Sequence, residues 1–430
     1  MSSSQGQNSS KYPRTLIISG EPFGKTSATG SILTNLFKGW PAERIAVIYT
    51  ADMMPDTSVC ARNWRFSLRD QRVAGCLLAI ARKKTPSQNA SGRAVFSGSD
   101  SKLRGILRAF SDLLPYRLNA GFLAWLDDFS PQVIYTQLGN IRITDLAIRI
   151  SKRNDIPVVP HFMDDWPTTG YSQPGYFIQK AVLLKKMNAL LARAGKCLAI
   201  SEAMAAEYRR RFGKMFVAFM NYPACGIKAG NGGPRETSGR LTLYYIGNVG
   251  HGRARLLRDI ALAARELKSE GLGIELHIFS GGLSEAREGE LLVPGITILE
   301  PEFDDSHISE IGDKCDCFVH VDSFEQRYQR YFRLSLSSKI PLYMACGLPI
   351  LAYGPKGSGS NQYINSAGAG LMVEEENKTA VIAALRELAL NAELRSRLGR
   401  RGRETADERH NAEKERERFR GVLEEAAVKP

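Results

Sequence analysis

At 430 residues, with 43% apolar and 24% charged side chains, the chain is long enough for two domains with separate cores and ordinary enough to be globular. The polar opening "MSSSQGQNSSKYPR" has no apolar heart of a signal peptide, and no apolar run approaches the length of a membrane span, so the expectation is a cytoplasmic protein. Seven scattered cysteines include one close pair, Cys315 and Cys317, whose one-residue spacing on a strand suits neither a zinc knuckle nor a redox pair.

Residues 1–13 read as a disordered tail. Then comes "LIISGEPFGKTSATG", a strand, a glycine turn and a helix over residues 27–37. A phosphate-cradling P-loop needs four residues between its glycines, but only Glu21, Pro22 and Phe23 separate Gly20 from Gly24. An ATPase is therefore not expected, leaving either a plain turn or a loop that faces some other ligand.

The net charge of +13 is concentrated between Cys60 and Arg117, where twelve Lys or Arg face three Asp. Inside that stretch Leu103, Ile106, Leu107, Phe110, Leu113 and Leu114 recur at helical spacing, with Lys102, Arg104 and Arg108 beside the opposite face. Such a helix suits an anionic membrane surface and equally an ordinary domain surface. The basic segment carries no nucleic-acid reading motif or stacking pattern, so nucleic acid is not expected as a partner.

Short apolar runs alternate with helical stretches along the whole chain. They are "TLIISG", "RIAVIYT", "PQVIYTQ", "IPVVPHFM" and "KCLAIS", then "LTLYYIG", "IELHIFSG", "ITILE", "CDCFVHV", "LPILAYG" and "AGLMV". This is the rhythm of parallel, doubly wound sheets buried on both faces. It breaks at residues 226–240, a glycine-rich polar linker, which divides the chain into a domain over 1–225 and another over 241–405 with a cleft between them. The charge-rich end, residues 406–430, reads as a solvated terminal helix.

In such sheets ligands meet the carboxyl ends of the strands. Three loops there carry chemistry. "HFMDDWPTT" gathers His161, Asp164, Asp165 and Trp166. "GNVGHGRAR" supplies Gly247, Gly250 and Gly252 for close backbone approach, and Arg253 or Arg255 as a cation for a diphosphate. "RLSLSSKIPLYMACGLPILAYGP" sets Ser337 and Ser338 before a short helix, so that Lys339 and the helix N-terminus both meet phosphate, with Gly347 closing the helix.

These motifs, together with "AISEAMAAEYRRRFG" followed by "NYP", resemble the family 4 group of GT-B glycosyltransferases over nearly the whole chain. The resemblance implies two Rossmann-like parallel-sheet domains facing a central cleft. It implies that the C-terminal domain grips a nucleotide sugar, with Gly247, Gly250, Arg255, Ser337 and Ser338 in the donor site, and that the N-terminal domain holds a glycan or lipid-linked acceptor. Gly20 and Gly24 would line the cleft near the transferred sugar. Arg253 and Lys339 would stabilise the departing diphosphate, His161 would sit near the anomeric centre, and Asp164 or Asp165 would orient the acceptor hydroxyl. Neither metal nor other cofactor is implied. Members of the group usually carry two acids where this chain has Leu334 and Leu342, and a leucine accepts no hydrogen bond from a ribose. Asp322 and Glu325 lie upstream as stand-ins. The expected activity is retaining sugar transfer in polysaccharide assembly at the inner membrane face. The alternatives are a non-catalytic scaffold of the same fold and, more remotely, an epimerase or phosphorylase.

Overall fold

A computed structural model describes residues 12–24, 27–71, 111–172, 175–220, 222, 239–280, 289–299 and 314–428. The 1–11 tail, most of the basic amphipathic segment and all but the end of the 226–240 linker lie outside them.

Each expected apolar run forms a strand. In the first half these are β1 (Thr15–Ile18), β2 (Ile45–Tyr49), β4 (Val133–Gln137), β5 (Val158–Phe162) and β6 (Cys197–Ala199), every residue of them buried. Two further strands, β3 (Asn63–Arg65) and β7 (Phe216–Ala218), occupy the edges. β3 (Asn-Trp-Arg) has too few apolar residues to show as a run, whereas β7 lies within the apolar run of residues 215–220, which is not among the expected strands. The seven strands pair in parallel in the order β3-β2-β1-β4-β5-β6-β7. Helices α1 (Ala28–Leu36), α2 (Ala120–Phe129), α3 (Ile141–Asn154), α4 (Trp166–Thr169), α5 (Phe177–Leu191) and α6 (Glu202–Phe212) connect them. Capping oxygens start four of these: Ser27, Asn119, Asn140 and Ser201 each accept from a backbone N–H of the first turn.

The second half repeats the plan with β8 (Arg240–Ile246), β9 (Gly273–Phe279), β10 (Ile296–Leu299), β11 (Cys317–Val321), β12 (Ile350–Tyr353) and β13 (Gly370–Val373), all parallel in the order β10-β9-β8-β11-β12-β13. Its helices are α7 (Arg253–Leu267), α8 (Gln326–Phe332), α9 (Ile340–Ala345), α10 (Gly359–Ala367), α11 (Lys378–Leu390) and α12 (Ala392–Arg409). The chain thus divides into two doubly wound units, one of residues 1–219 with 416–430 and one of residues 220–415. In each sheet the strand order reverses at one place, between β1 and β4 in the first and between β8 and β11 in the second. Loops leaving two such strands diverge and open a crevice at their carboxyl ends. Among the described residues no helix is long and apolar enough to cross a membrane.

The terminal helix α13 (Ala412–Ala427) corrects the expectation of a solvated end. Phe419, Val422, Leu423 and Ala426 form an apolar stripe at helical spacing among glutamates and arginines, and all four are buried. Charge content hid the stripe, because four apolar residues suffice for one face. The ring of Phe419 meets Phe37 at 5.2 Å, Tyr135 at 5.3 Å and Phe219 at 5.9 Å between centroids, so the last helix completes the core of the first unit. Arg418 donates to the carbonyl of Ala218 at 2.8 Å and lies over the Phe219 ring.

Because Trp40, Trp64, Trp125 and Trp166 are the chain's four tryptophans and all belong to the first unit, their fluorescence reports that unit alone. Phe419→Ala is expected to lower its stability by about 3–5 kcal/mol, the usual cost of emptying a buried phenylalanine site, measured as a shift of the urea unfolding midpoint.

Candidate functional site

The second unit's site is built at its strand-order reversal. After β8 the chain turns through residues 247–252, where Gly247 (φ 153°), His251 (φ 58°) and Gly252 (φ 78°) all have positive φ. Gly252 is the glycine this turn cannot replace. A Cβ there would lie 2.5 Å from the Ser323 hydroxyl and 2.8 Å from Glu325 Oε1, in the loop that follows β11. The turn is also held from below, since the Tyr245 hydroxyl donates to the Asn248 carbonyl at 2.7 Å. Gly250 offers its N–H to the side chain of Asn248.

That packing starts α7 at Arg253 and sets its guanidinium across the reversal. Nε donates to the Val321 carbonyl at 3.0 Å, Nη2 to Asp322 Oδ1 at 3.1 Å, and the cation lies 4.7 Å from the centroid of the Phe332 ring. Asp322 is buried, with Oδ2 accepting from the Ser358 hydroxyl at 2.6 Å and lying 3.2 Å from His320 Nε2. Burial by itself pushes this carboxyl up. His320, Arg253 and Ser358 outweigh it and hold the group below its ordinary value, so it stays an anion. Both oxygens of Asp322 are thus engaged inside the protein, beside Arg253. Glu325 is partly exposed and accepts from Arg327 Nε at 2.7 Å. Arg255, two residues beyond Arg253 and so about 200° around the helix, pairs with Glu376 instead. Of the two arginines, only Arg253 belongs to the reversal.

Lys339 is linked to the end of β8 through its own helix. It precedes α9, whose Tyr343 is pinned to the end of β8: the Tyr343 hydroxyl accepts from the Ile246 N–H at 3.0 Å and donates to the Ile246 carbonyl at 3.2 Å. Lys339 lies one turn earlier, its carbonyl accepting from the Tyr343 N–H at 2.9 Å. Burial pushes its ammonium down to about 8. Ser337 is fastened by its N–H to the Ser360 hydroxyl at 3.0 Å, and Ser338 is half-buried beside it. The preceding backbone is clamped as well, since a Cβ on Gly359 would meet the Ser335 carbonyl at 2.8 Å. Leu334 and Leu342 are both buried apolar side chains.

In the first unit, Gly20 and Gly24 lie in the loop after β1, at the reversal between β1 and β4. Neither has a positive φ, a Cβ on Gly20 would make only ordinary contact with Ile143 at 3.8 Å, and one on Gly24 would meet nothing. The demanding glycine is Gly30 in α1, where a Cβ would lie 2.8 Å from the carbonyls of Gly24 and Pro22. In sequence Gly30 looks like no more than a weak helix residue, while its purpose is to let the helix seat against the loop.

His161, one residue before the end of β5, is fully buried. Its Nδ1 lies 2.8 Å from the Tyr135 hydroxyl and its Nε2 3.3 Å from the Phe219 carbonyl, and burial pushes the imidazole down to about 4, so it is neutral at pH 7. Asp165 is buried too, with Oδ1 accepting from the Tyr208 hydroxyl at 2.8 Å and Arg211 Nη1 at 3.2 Å. Through Oδ1 it ties α6 to the loop after β5. Asp164, beside it, is half-buried. Tyr135, Tyr208, Arg211 and Ser358, which complete these networks, carry no local motif; their partners lie 26 to 46 residues away. Among the described residues, no group of three or more His, Cys, Asp or Glu side chains is placed to hold a metal ion.

No family model and no curated protein matches the sequence. Solved structures do match its fold. HepE from Anabaena, determined with UDP and glucose, is 13% identical at a TM-score of 0.62, covering 95% of this chain and 99% of its own. Sucrose-phosphate synthase from Thermosynechococcus elongatus is 13% identical at 0.58, covering 94% and 96%. WaaG, a glycosyltransferase involved in lipopolysaccharide biosynthesis, is 11% identical at 0.57, covering 95% and 99%. The chain has the GT-B fold, as its motifs led one to expect.

The depressed His161 value has a measurable consequence. Folding favours the neutral imidazole, so its contribution is complete above about 6.5 and is lost as pH falls toward about 4, costing the first unit about 3 kcal/mol. Urea unfolding followed by tryptophan fluorescence should show that loss, and His161→Gln, which cannot take up the proton, should flatten this part of the pH profile.

Proposed function

We propose that this chain is a glycosyltransferase that moves a sugar from a nucleotide-sugar donor to a glycan or lipid-linked glycan, with retention, in cell-surface polysaccharide assembly. The reading rests on the pair of cations at one strand-order reversal, Arg253 fixed by Asp322 and Lys339 fixed through Tyr343. A diphosphate leaving group needs positive charge at the place where its negative charge grows, already oriented before the reaction starts. Arg253 presents a guanidinium whose orientation is set by three contacts. Lys339 presents an ammonium that burial has partly stripped of water, so an arriving anion meets a poorly hydrated charge and gains a strong, charge-assisted partner. The fold shared with HepE, determined with UDP and glucose, supports a nucleotide sugar as the donor.

The acceptor belongs to the first unit in this reading. Asp164 is the carboxylate retained there as a candidate for orienting the attacking hydroxyl, and His161 acts through shape and backbone, its ring being committed to Tyr135 and Phe219. The diphosphate itself takes the acceptor proton. The basic stretch between Cys60 and Arg117 supports an acceptor held at an anionic membrane surface. The second reading, a non-catalytic protein of the same fold, is favoured by the buried leucines at positions 334 and 342, which supply no acceptor for the ribose hydroxyls.

Calorimetric titration with UDP, GDP and ADP separates the two. One diphosphate should bind, and Arg253→Ala and Lys339→Ala should each weaken it by about 1–3 kcal/mol while Arg255→Ala leaves it unchanged. Absence of binding at millimolar concentration would favour the scaffold. A second expectation concerns pH: because the Lys339 ammonium titrates near 8 in the free protein, affinity should decline as pH rises past that value. Titrations of wild type and Lys339→Arg between about pH 7 and pH 9.5 check this, the arginine variant showing no such decline because a guanidinium stays charged throughout that range.

A further inference from the structure

Beside Arg253 stands an aromatic wall that the cation pair leaves unused. His251 is exposed, sits between two glycines and adopts φ 58°, a left-handed conformation that side chains seldom take. Its ring stacks on Tyr331, with centroids 5.3 Å apart and planes 8° from parallel, and meets Tyr328 edge-on at 5.3 Å. His251 follows β8 and the two tyrosines belong to α8, which follows β11, so the wall spans the same strand-order reversal as the Arg253–Asp322 pair. The two features are continuous. Phe332 lies under the Arg253 guanidinium at 4.7 Å and also meets the His251 ring at 6.3 Å and 82°.

We infer that the His251–Tyr331–Tyr328 wall binds the sugar ring of the donor and helps to select it; this rests on the nucleotide-sugar reading above. A pyranose offers a face of C–H groups, weakly positive, and a rim of hydroxyls. The electron-rich faces of phenol and imidazole suit the first, while phenolic O–H and ring nitrogens suit the second. Position argues for the sugar rather than the base. The transferred group must meet an acceptor arriving from outside, so its platform has to be open, as His251 is, whereas a base gains most from being enclosed. A histidine held at a left-handed φ on a turn of glycines is the arrangement expected when a side chain must be presented at one place.

The test compares each free diphosphate with its sugar conjugate, UDP with UDP-glucose, GDP with GDP-mannose and ADP with ADP-glucose, by calorimetry on the full chain. Two variants remove the wall: His251→Gly, which accepts the left-handed backbone and deletes only an exposed ring, and Tyr331→Leu, which keeps bulk on α8. The expected result is that wild type binds one conjugate, that both variants weaken that conjugate by about two- to tenfold, and that neither changes affinity for its diphosphate. Equal weakening of conjugate and diphosphate, or no change in either, overturns the inference while leaving the donor site standing. Failure of the wild type to bind any diphosphate or conjugate overturns the proposed function, and this inference with it. Should Tyr331→Leu not fold by its urea profile, His251→Gly decides alone.

Discussion

The ion pair between Arg253 and Asp322 bridges the loops after the two strands at which the second sheet changes direction, and the side chains at that reversal are arranged around it. A buried carboxylate is costly unless its charge is answered, and here Arg253, His320 and Ser358 answer it together, in close quarters that Gly354 and Gly252 make room for. A Cβ on Gly354 would lie 2.6 Å from the Asp322 carbonyl, so even the neighbouring strand end is shaped to this residue. The result is an arginine whose direction does not depend on the ligand. Such preorganisation is what electrostatic stabilisation of a leaving group requires, since a cation that must first reorient loses part of its effect in doing so.

Lys339 is positioned by different means to a similar end. Its short helix is anchored by Tyr343, which exchanges two hydrogen bonds with Ile246 and stacks on Phe318 with centroids 4.2 Å apart. One tyrosine thus joins α9 to the central strands β8 and β11. Leu334 and Leu342 are buried, as apolar residues should be, and the backbone around Leu334 is clamped against Gly359.

The first unit places its stability where its sequence looked functional. The His161 to Trp166 cluster reads as a reactive site because imidazole, carboxylates and indole seldom gather in six residues without a use. In the fold, His161 and Asp165 face inward and are answered by Tyr135, Tyr208, Arg211 and the Phe219 carbonyl. Asp164, between them along the chain, is left half-buried at the edge of the cluster. Tyr135 also touches Phe419 of the last helix, so the network beneath the loop after β5 is continuous with the contact that brings the chain's end back to its beginning.

Local pattern carries a large part of this molecule. Apolar runs of buried parallel strands, with glycines and prolines at helix ends, were enough for two doubly wound units. Other features waited on the folded chain: the pairing of Arg255 with Glu376, the burial of Asp322 beside Arg253, the inward turn of His161 and Asp165, and the seating of α13 in the first core. Each of these depends on partners dozens or hundreds of residues away, brought together by the order of strands in a sheet. A side chain's identity states which bonds it is able to make, and its neighbours in space settle which of them it does make.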